Sequence, residues 1–271
     1  MKHRVAAIQM TSGHNVSSNL IAAKTLIAQA ADSGAKLIVL PEMFAVMGLD
    51  QMDKVNAREK WGDGPIQEFL HHEAIQHNVW IVGGTIPIAV EEDAHQVHAA
   101  CLVVNHQGEV VARYDKMHLF DVRLDATQEV YSESRTTTSG SQIIVIPTPF
   151  GKLGLAVCYD IRFPEMFRNM HELGVEVLAL PAAFTFITGS VHWDILVRAR
   201  AIENQIFVIA AAQTGVHPSG RRTYGYSMVV DPWGGVKASL PYEQGVVLAD
   251  IDLDYLVKIR KEFPVLSHRK L

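Results

Sequence analysis

Apolar runs of strand length recur along the whole chain, and helix-like segments separate many of them. In the first half they are RVAAIQM (4–10), AKLIVLP (35–41), VWIVGGTIPI (79–88) and AACLVVN (99–105). The second half adds QIIVIPTP (142–149), KLGLAVCY (152–159), VEVLALPAAF (175–184), QIFVIAAAQ (205–213), YSMVVDP (226–232) and GVVLADID (245–252). Their β-branched content and their borders of turn residues favour strands over short helices. Residues 17–33 carry apolar side chains at helical spacing and are stopped by Gly34. Residues 65–78 repeat that pattern with Pro65 in a first turn. Further helices are expected over 163–174, ended by Gly174, over 191–205, and over 252–263 before Pro264. Hairpin turns are expected at Gln107-Gly108 and at 232–235. Strands alternating with helices and hairpins predict an α/β fold with mixed sheets covered by helices.

A chain of 271 residues could hold two average domains, but no Pro/Ser-rich linker, charge block or low-complexity tract divides it. A single domain over 1–271 is therefore expected. With 48% hydrophobic and 20% charged residues, the chain can bury a sizeable core. Residues 121–141 are the longest polar, aperiodic stretch, and a loop of that length in a compact domain reads as a functional lid.

A formal charge of -5 and a pI near 6.2 exclude the electrostatic footprint of a nucleic-acid binder, so a small-molecule partner is expected. The apolar part of MKHRVAAIQM is too short for a signal peptide and reads as a first strand. No apolar run approaches the ~18 residues that span a bilayer, so no membrane partner is expected. Two cysteines, Cys101 and Cys158, cannot build a disulfide framework or a CxxC metal site, which suits a reducing, cytoplasmic compartment.

Cys158 ends the run LGLAV and precedes a helix opening near Pro164. Ligands sit at the carboxyl ends of strands in α/β folds, and a helix N-terminus lowers a thiol pKa. Cysteine is also among the most buried residue types, so position alone leaves nucleophile and core filler in balance. Glu42 follows LIVLP at another strand end, where a desolvated carboxylate suits a general base; taken singly it reads instead as a solvated loop residue. Lys116 lies among Tyr114, Met117, Leu119 and Phe120. A lysine in apolar surroundings needs a carboxylate or a developing anion beside it, unless it snorkels to the surface. Jointly, a base, an ammonium and a thiol at a helix-entry turn make an acyl-transfer site with an oxyanion hole.

The motifs LPEMF with Glu42, YDKMHLF with Lys116 and GLAVCYDIRFPE with Cys158 resemble, in order and context, those of the nitrilase superfamily of carbon–nitrogen hydrolases, and the similarity runs through essentially the whole chain. The resemblance implies a four-layer α-β-β-α sandwich and a reaction through a thioester with no metal or organic cofactor. It implies Cys158 as nucleophile, Glu42 as general base and Lys116 as oxyanion stabiliser, joined there by the backbone N–H of Tyr159. It also implies a second glutamate, Glu133 in YSESRTTTSG, whose own context reads only as a solvated loop. Assembly as a homodimer or a higher homo-oligomer is implied as well.

Within the superfamily, Thr188-Gly189, His192-Trp193 and RARAIENQ look most like the branch of deaminated glutathione amidases, with ω-amidases of α-keto acid monoamides a near second. Nitrilases, N-carbamoyl amidohydrolases, amide-transferring subunits and a non-catalytic binding or scaffold protein are the remaining alternatives. Such amides carry carboxylates, so an Arg or hydroxyl should fix the remote end. Phe184 and Thr185, after the strand ending near Pro181, are expected to line the acyl pocket. Arg198 and Arg200 cannot share a helix face, so at most one points inward. Arg162 reads as a brace to Glu165 or Asp160 rather than as a carboxylate clamp. His95 and His98 in EEDAHQVH read as solvated loop residues rather than metal ligands.

Overall fold

The computed structural model describes residues 2–124 and 129–270. The first half runs β1 (Lys2–Gln9), α1 (Val16–Asp32), β2 (Leu37–Val39), α2 (Asp53–Asn56), α3 (Pro65–His77), β3 (Trp80–Val82), β4 (Ile86–Val90), β5 (Asp93–Val104) and β6 (Val110–Asp115). A hairpin, β7 (Asp121–Leu124) with β8 (Glu129–Ser132), leads to β9 (Val145–Thr148), β10 (Gly151–Leu155), α4 (Pro164–Glu172), β11 (Val177–Ala182), α5 (Phe186–Asn204) and β12 (Phe207–Ala212). The rest is β13 (Thr214–Val216), β14 (Arg222–Tyr224), β15 (Ser227–Val230), β16 (Val236–Leu240), β17 (Gly245–Asp252) and α6 (Leu253–Glu262).

Two mixed sheets form the centre. One has the order β17-β1-β2-β3-β5-β4, with β6 also on β5, and the other the order β16-β15-β12-β11-β10-β9. Each has a parallel trio, β1-β2-β3 and β10-β11-β12, flanked by antiparallel strands. Alternation along the strands makes the layers. In β1 and β2, Val5, Ala7, Leu37 and Val39 face the core shared with the second sheet, while Ala6, Ile8 and Ile38 face α1 and α3 through Ile27, Ala30, Leu70 and Ala74. Each of those larger side chains, fully removed from water, contributes about 1.5–3 kcal/mol. Helices α4 and α5 cover the other side of the second sheet with Met170, Trp193 and Val197. The result is the α-β-β-α sandwich that the resemblance implies.

Helix ends follow local chemistry. Asn15 caps α1 by accepting from the Ser18 N–H, and Gly34 leaves it at φ +89°. Four details differ from expectation. The run 79–88 is not one strand but two, β3 and β4, because Gly84 turns at φ +55° against the Pro41 carbonyl, where a Cβ would come within 2.1 Å of the oxygen. Helix α5 starts at Phe186, five residues before 191, because Thr185 caps it from the strand side. His95 and His98 belong to β5 rather than a loop, and a three-residue offset puts them on opposite faces of the strand. The polar stretch 121–141 carries β7, β8 and a short 3-10 helix, Glu133–Arg135; its residues 125–128 lie outside the described residues.

The β1 and β12 strands run in the same direction and meet beyond their ends, where the Met10 N–H donates to the Ala212 carbonyl and the Thr214 N–H to that of Met10. Both parallel trios therefore end at one edge of the sandwich.

Candidate active site

At that edge β2 runs on through Leu40 and Pro41 to Glu42. Close approach of Gly84 fixes Pro41; the Met43 N–H donates to Thr85 Oγ1 (2.9 Å), and Gln213 Nε2 donates to the Glu42 carbonyl (3.0 Å). The Glu42 side chain is thereby aimed inward, and the residue is only 4% exposed.

Lys116 follows β6, with its N–H on the Ala99 carbonyl and its own carbonyl held by the Gly140 N–H. At 1% exposure its Nζ donates to Glu42 Oε1 (2.8 Å) and to both Glu133 oxygens (3.1 and 2.8 Å). Glu133 is oriented in turn by the Phe120 N–H, which donates to its Oε2 at 2.7 Å. Burial alone would lower Lys116, but the charges of Glu133 and Glu42 outweigh it and hold the ammonium well above its ordinary range. Burial likewise opposes ionisation of Glu133, and Lys116 with Lys54 overcomes it, so its carboxyl sits below the ordinary value.

Cys158 opens a short 3-10 helix, Cys158–Arg162, at φ +48°, a conformation that costs a side-chain-bearing residue about 1–3 kcal/mol. Asp160 holds that turn. Its carboxylate, fully buried, accepts from the Val157 N–H (2.8 Å), the Tyr114 hydroxyl (2.6 Å) and the His118 N–H (3.0 Å), with His118 Nδ1 at 2.7 Å. One carboxylate thus ties the cysteine turn to the segment bearing Lys116. Cys158 is 7% exposed, and its Sγ accepts from the Ala183 N–H at 3.5 Å. Burial, then the Glu42 charge, push the thiol up and prevail over Lys116 and that N–H. The direction is thus opposite to that expected from the helix alone: burial and the Glu42 charge disfavour the thiolate.

A cleft of about 540 Å³ opens over these groups, lined by Glu42, Lys116, Glu133, Cys158 and Tyr159. Phe184 and Thr185 line it too, because β11 ends just before them. A buried base, an ammonium and a thiol facing one cavity can carry out acyl transfer. Among the described residues no group of three or more His, Cys, Asp or Glu is arranged to hold a metal, and no helix is long and apolar enough to cross a membrane.

The sequence profile of the family described as carbon–nitrogen hydrolase matches residues 4–261. The chain belongs to that family. It is 40% identical over 266 residues to the deaminated glutathione amidase of Yersinia enterocolitica, covering 98% of this chain and 92% of that one. The crystal structure of the Caenorhabditis elegans NitFhit protein superposes with a TM-score of 0.93 at 39% identity, covering 99% of this chain and 65% of that fusion. An amidase from Nesterenkonia sp., solved with acrylamide added to its active-site cysteine, gives a TM-score of 0.78 at 26% identity, covering 97% of this chain and 98% of that one.

In this carbon–nitrogen hydrolase the cleft also contains side chains that sequence reasoning passed over. Lys54, on the four-residue α2, lines it with Nζ on Thr137 Oγ1 (2.6 Å), and burial lowers its pKa. Arg221 lines it from the loop before β14, and Thr188 and Tyr131 add polar edges. No periodicity or motif marks Lys54 or Arg221; only the tertiary fold brings them to the cavity. The expected brace of Arg162 is also corrected. Asp160 is taken by Tyr114, His118 and Val157, while Arg162 faces the cleft, lies over the Phe184 ring at 5.0 Å and donates to His192 Nδ1 (3.2 Å). Of the α5 pair, Arg200 points inward to the Ile161 carbonyl (2.9 Å) and Arg198 outward, as their spacing requires.

Proposed function

We propose that the protein is a cysteine-dependent amidase that cleaves a small, carboxylate-bearing amide of the deaminated glutathione type. The observation that carries this reading is the continuous hydrogen-bonded array of Glu42, Lys116 and Glu133 facing Cys158 in one cleft. In the proposed mechanism Cys158 Sγ attacks the amide carbonyl carbon as its proton passes to Glu42. The carbonyl oxygen becomes an oxyanion, which Lys116 Nζ and the backbone N–H of Tyr159 stabilise. Glu42 then returns the proton to the departing nitrogen, the C–N bond breaks, and a thioester remains on Cys158. Water deprotonated by Glu42 attacks that thioester, and the acid leaves as the thiol is regenerated. Glu133 keeps the ammonium charged and aimed. Phe184 and Thr185 border the acyl group.

The substrate class draws support from the 40% identity to a deaminated glutathione amidase and from the cations facing the cleft. A screen of deaminated glutathione, α-ketoglutaramate, α-ketosuccinamate, aliphatic amides, nitriles and N-carbamoyl amino acids tests it. Deaminated glutathione is expected to give the highest kcat/KM, releasing cysteinylglycine and α-ketoglutarate. Preference for the monoamides would move the chain to the ω-amidases, and nitrile hydrolysis or CO2 release would overturn the amidase reading.

The same reading takes residues 1–271 as one domain and a reducing cytoplasm as its setting, in keeping with two free cysteines. It also includes a homodimer. Val191, Ile195 and Ile202 form an exposed apolar stripe on α5, and nearby Trp233 and Phe263 are exposed in a T-shaped pair at 5.6 Å. Apolar surface in that arrangement suits a covered face. Sedimentation at micromolar concentration should give about 60 kDa, twice the 30.0 kDa chain, and a monomeric profile would refute the dimer.

A further inference from the structure

The wall of the cleft is an arc of aromatic rings with a guanidinium at each end. Arg221 lies 5.3 Å from the Tyr131 ring centroid, Tyr131 5.0 Å from Phe120, Phe120 5.1 Å from Tyr159, and Arg162 5.8 Å from Tyr159. All five line the cavity. Neither arginine has a carboxylate within salt-bridge distance among the described residues, and neither does Lys54. Arg221 donates from Nη2 to the Ala183 carbonyl (2.8 Å) and places Nη1 3.9 Å from Met43 Sδ, but its Nε is buried with no hydrogen-bond partner. Arg221 lines the cleft with its Nη1 committed to nothing stronger than that sulfur, so its guanidinium is available to meet a ligand anion there.

The two ends differ in what they adjoin. Arg162 lies over Phe184, which borders the acyl side. Arg221 touches Met43, the neighbour of Glu42, and Lys54 interacts electrostatically with Arg221, Glu133 and Glu42. The nitrogen of the leaving group must receive its proton from Glu42, so the leaving group lies on the Glu42 side of the scissile bond. We propose that Arg221, with Lys54, is the specificity-determining site for a carboxylate carried by the leaving amine, while Arg162 faces the acyl end. The cleft would then select an amide with an anion at both ends, and ammonia as leaving group would leave the Arg221–Lys54 end unfilled. This deepens, and rests on, the amidase reading above.

The test uses binding, so it does not depend on turnover. In the Cys158→Ala chain, calorimetry compares glutarylglycine, with carboxylates on both sides of its amide, and glutarylglycinamide, which keeps only the acyl-side carboxylate. The diacid is expected to bind about 10- to 100-fold more tightly, the range of a charge-assisted hydrogen bond. Arg221→Gln should remove most of that preference and Arg221→Lys should keep part of it. Lys54→Met should reduce it and provides the reading if the Arg221 variant fails to fold. No preference in the parent, or a preference unchanged by either substitution, would overturn the proposal, as would its loss in Arg162→Gln alone. A clear preference in a protein that hydrolyses no deaminated glutathione would instead sink the substrate reading and leave the site standing.

Discussion

Replacing Lys116 with methionine is expected to lower stability by about 3–5 kcal/mol at neutral pH and to reduce kcat/KM at least about 100-fold. The ammonium is 1% exposed and hydrogen-bonded to two inward-facing carboxylates. Methionine fills a similar volume, so the loss comes from stranded charge rather than from a cavity. The pH dependence carries the diagnosis. In the wild type, Glu133 titrates below 4.5, so its contribution is present above that value and disappears as pH falls through the depressed folded pKa. Lys116 titrates above 10.5, so its contribution holds below that value and disappears as pH rises through the raised folded pKa. The pairing should therefore persist across the window between them. Without Lys116 the largest charge favouring the Glu133 carboxylate is gone and its desolvation is less offset, so the variant should fall further behind the wild type as pH rises through 4.5. Urea unfolding at pH 5 and pH 8 checks this: the gap to wild type should be the larger at pH 8, and an equal gap would mean that packing, not charge, accounts for the loss.

How much of this arrangement is legible in the chain depends on what holds each residue. Glu42 and Cys158 each terminate an apolar run, and Lys116 follows a strand in an apolar context, so local pattern makes each a candidate and only their conjunction, with the family resemblance, assigns the roles. Glu133 gives no such signal. It follows a short hairpin in a polar stretch, and its partial burial arises only when the Phe120 N–H and Lys116 close on it. Lys54 and Arg221 are less visible still, because α2 is four residues long and the Arg221 loop has no period. The strand boundaries repeat the lesson. VWIVGGTIPI is uniformly apolar, yet the Pro41 carbonyl splits it at Gly84, a contact between segments distant in sequence. That same contact helps to aim Glu42.

Asp160 illustrates how the site is held rather than what reacts. It lies two residues after Cys158 and its neighbour Arg162 invites a local salt bridge, but its carboxylate is committed to Tyr114, His118 and Val157. These contacts stabilise a non-glycine residue at φ +48° and join the Cys158 turn to the Lys116 segment. His118 is further fixed by stacking on Phe163 at 3.7 Å. Freed from that brace, Arg162 can face the cavity.

Cys158→Ala is expected to lower amide hydrolysis by about 10,000-fold or more, because the array then has no atom to carry the acyl group. The fold should survive. The sulfur contributes one long contact, 3.5 Å from the Ala183 N–H, and alanine adopts φ +48° at the same backbone cost as cysteine, so a shift of only a few degrees in Tm is expected. Full activity in the variant would remove Cys158 from the mechanism, and a wild type as inactive as the variant on every amide would favour a scaffold. The wild-type thiol supplies a second readout. Burial and Glu42 hold it above 9.0, so its alkylation by iodoacetamide should still be accelerating as pH passes that value. A midpoint near neutrality would mean a preformed thiolate, and Glu42 would then have no thiol proton to take. The two measurements separate the nucleophile from the way it is activated: the first asks whether Cys158 bears the acyl group, the second whether its proton leaves only as the carbonyl is attacked.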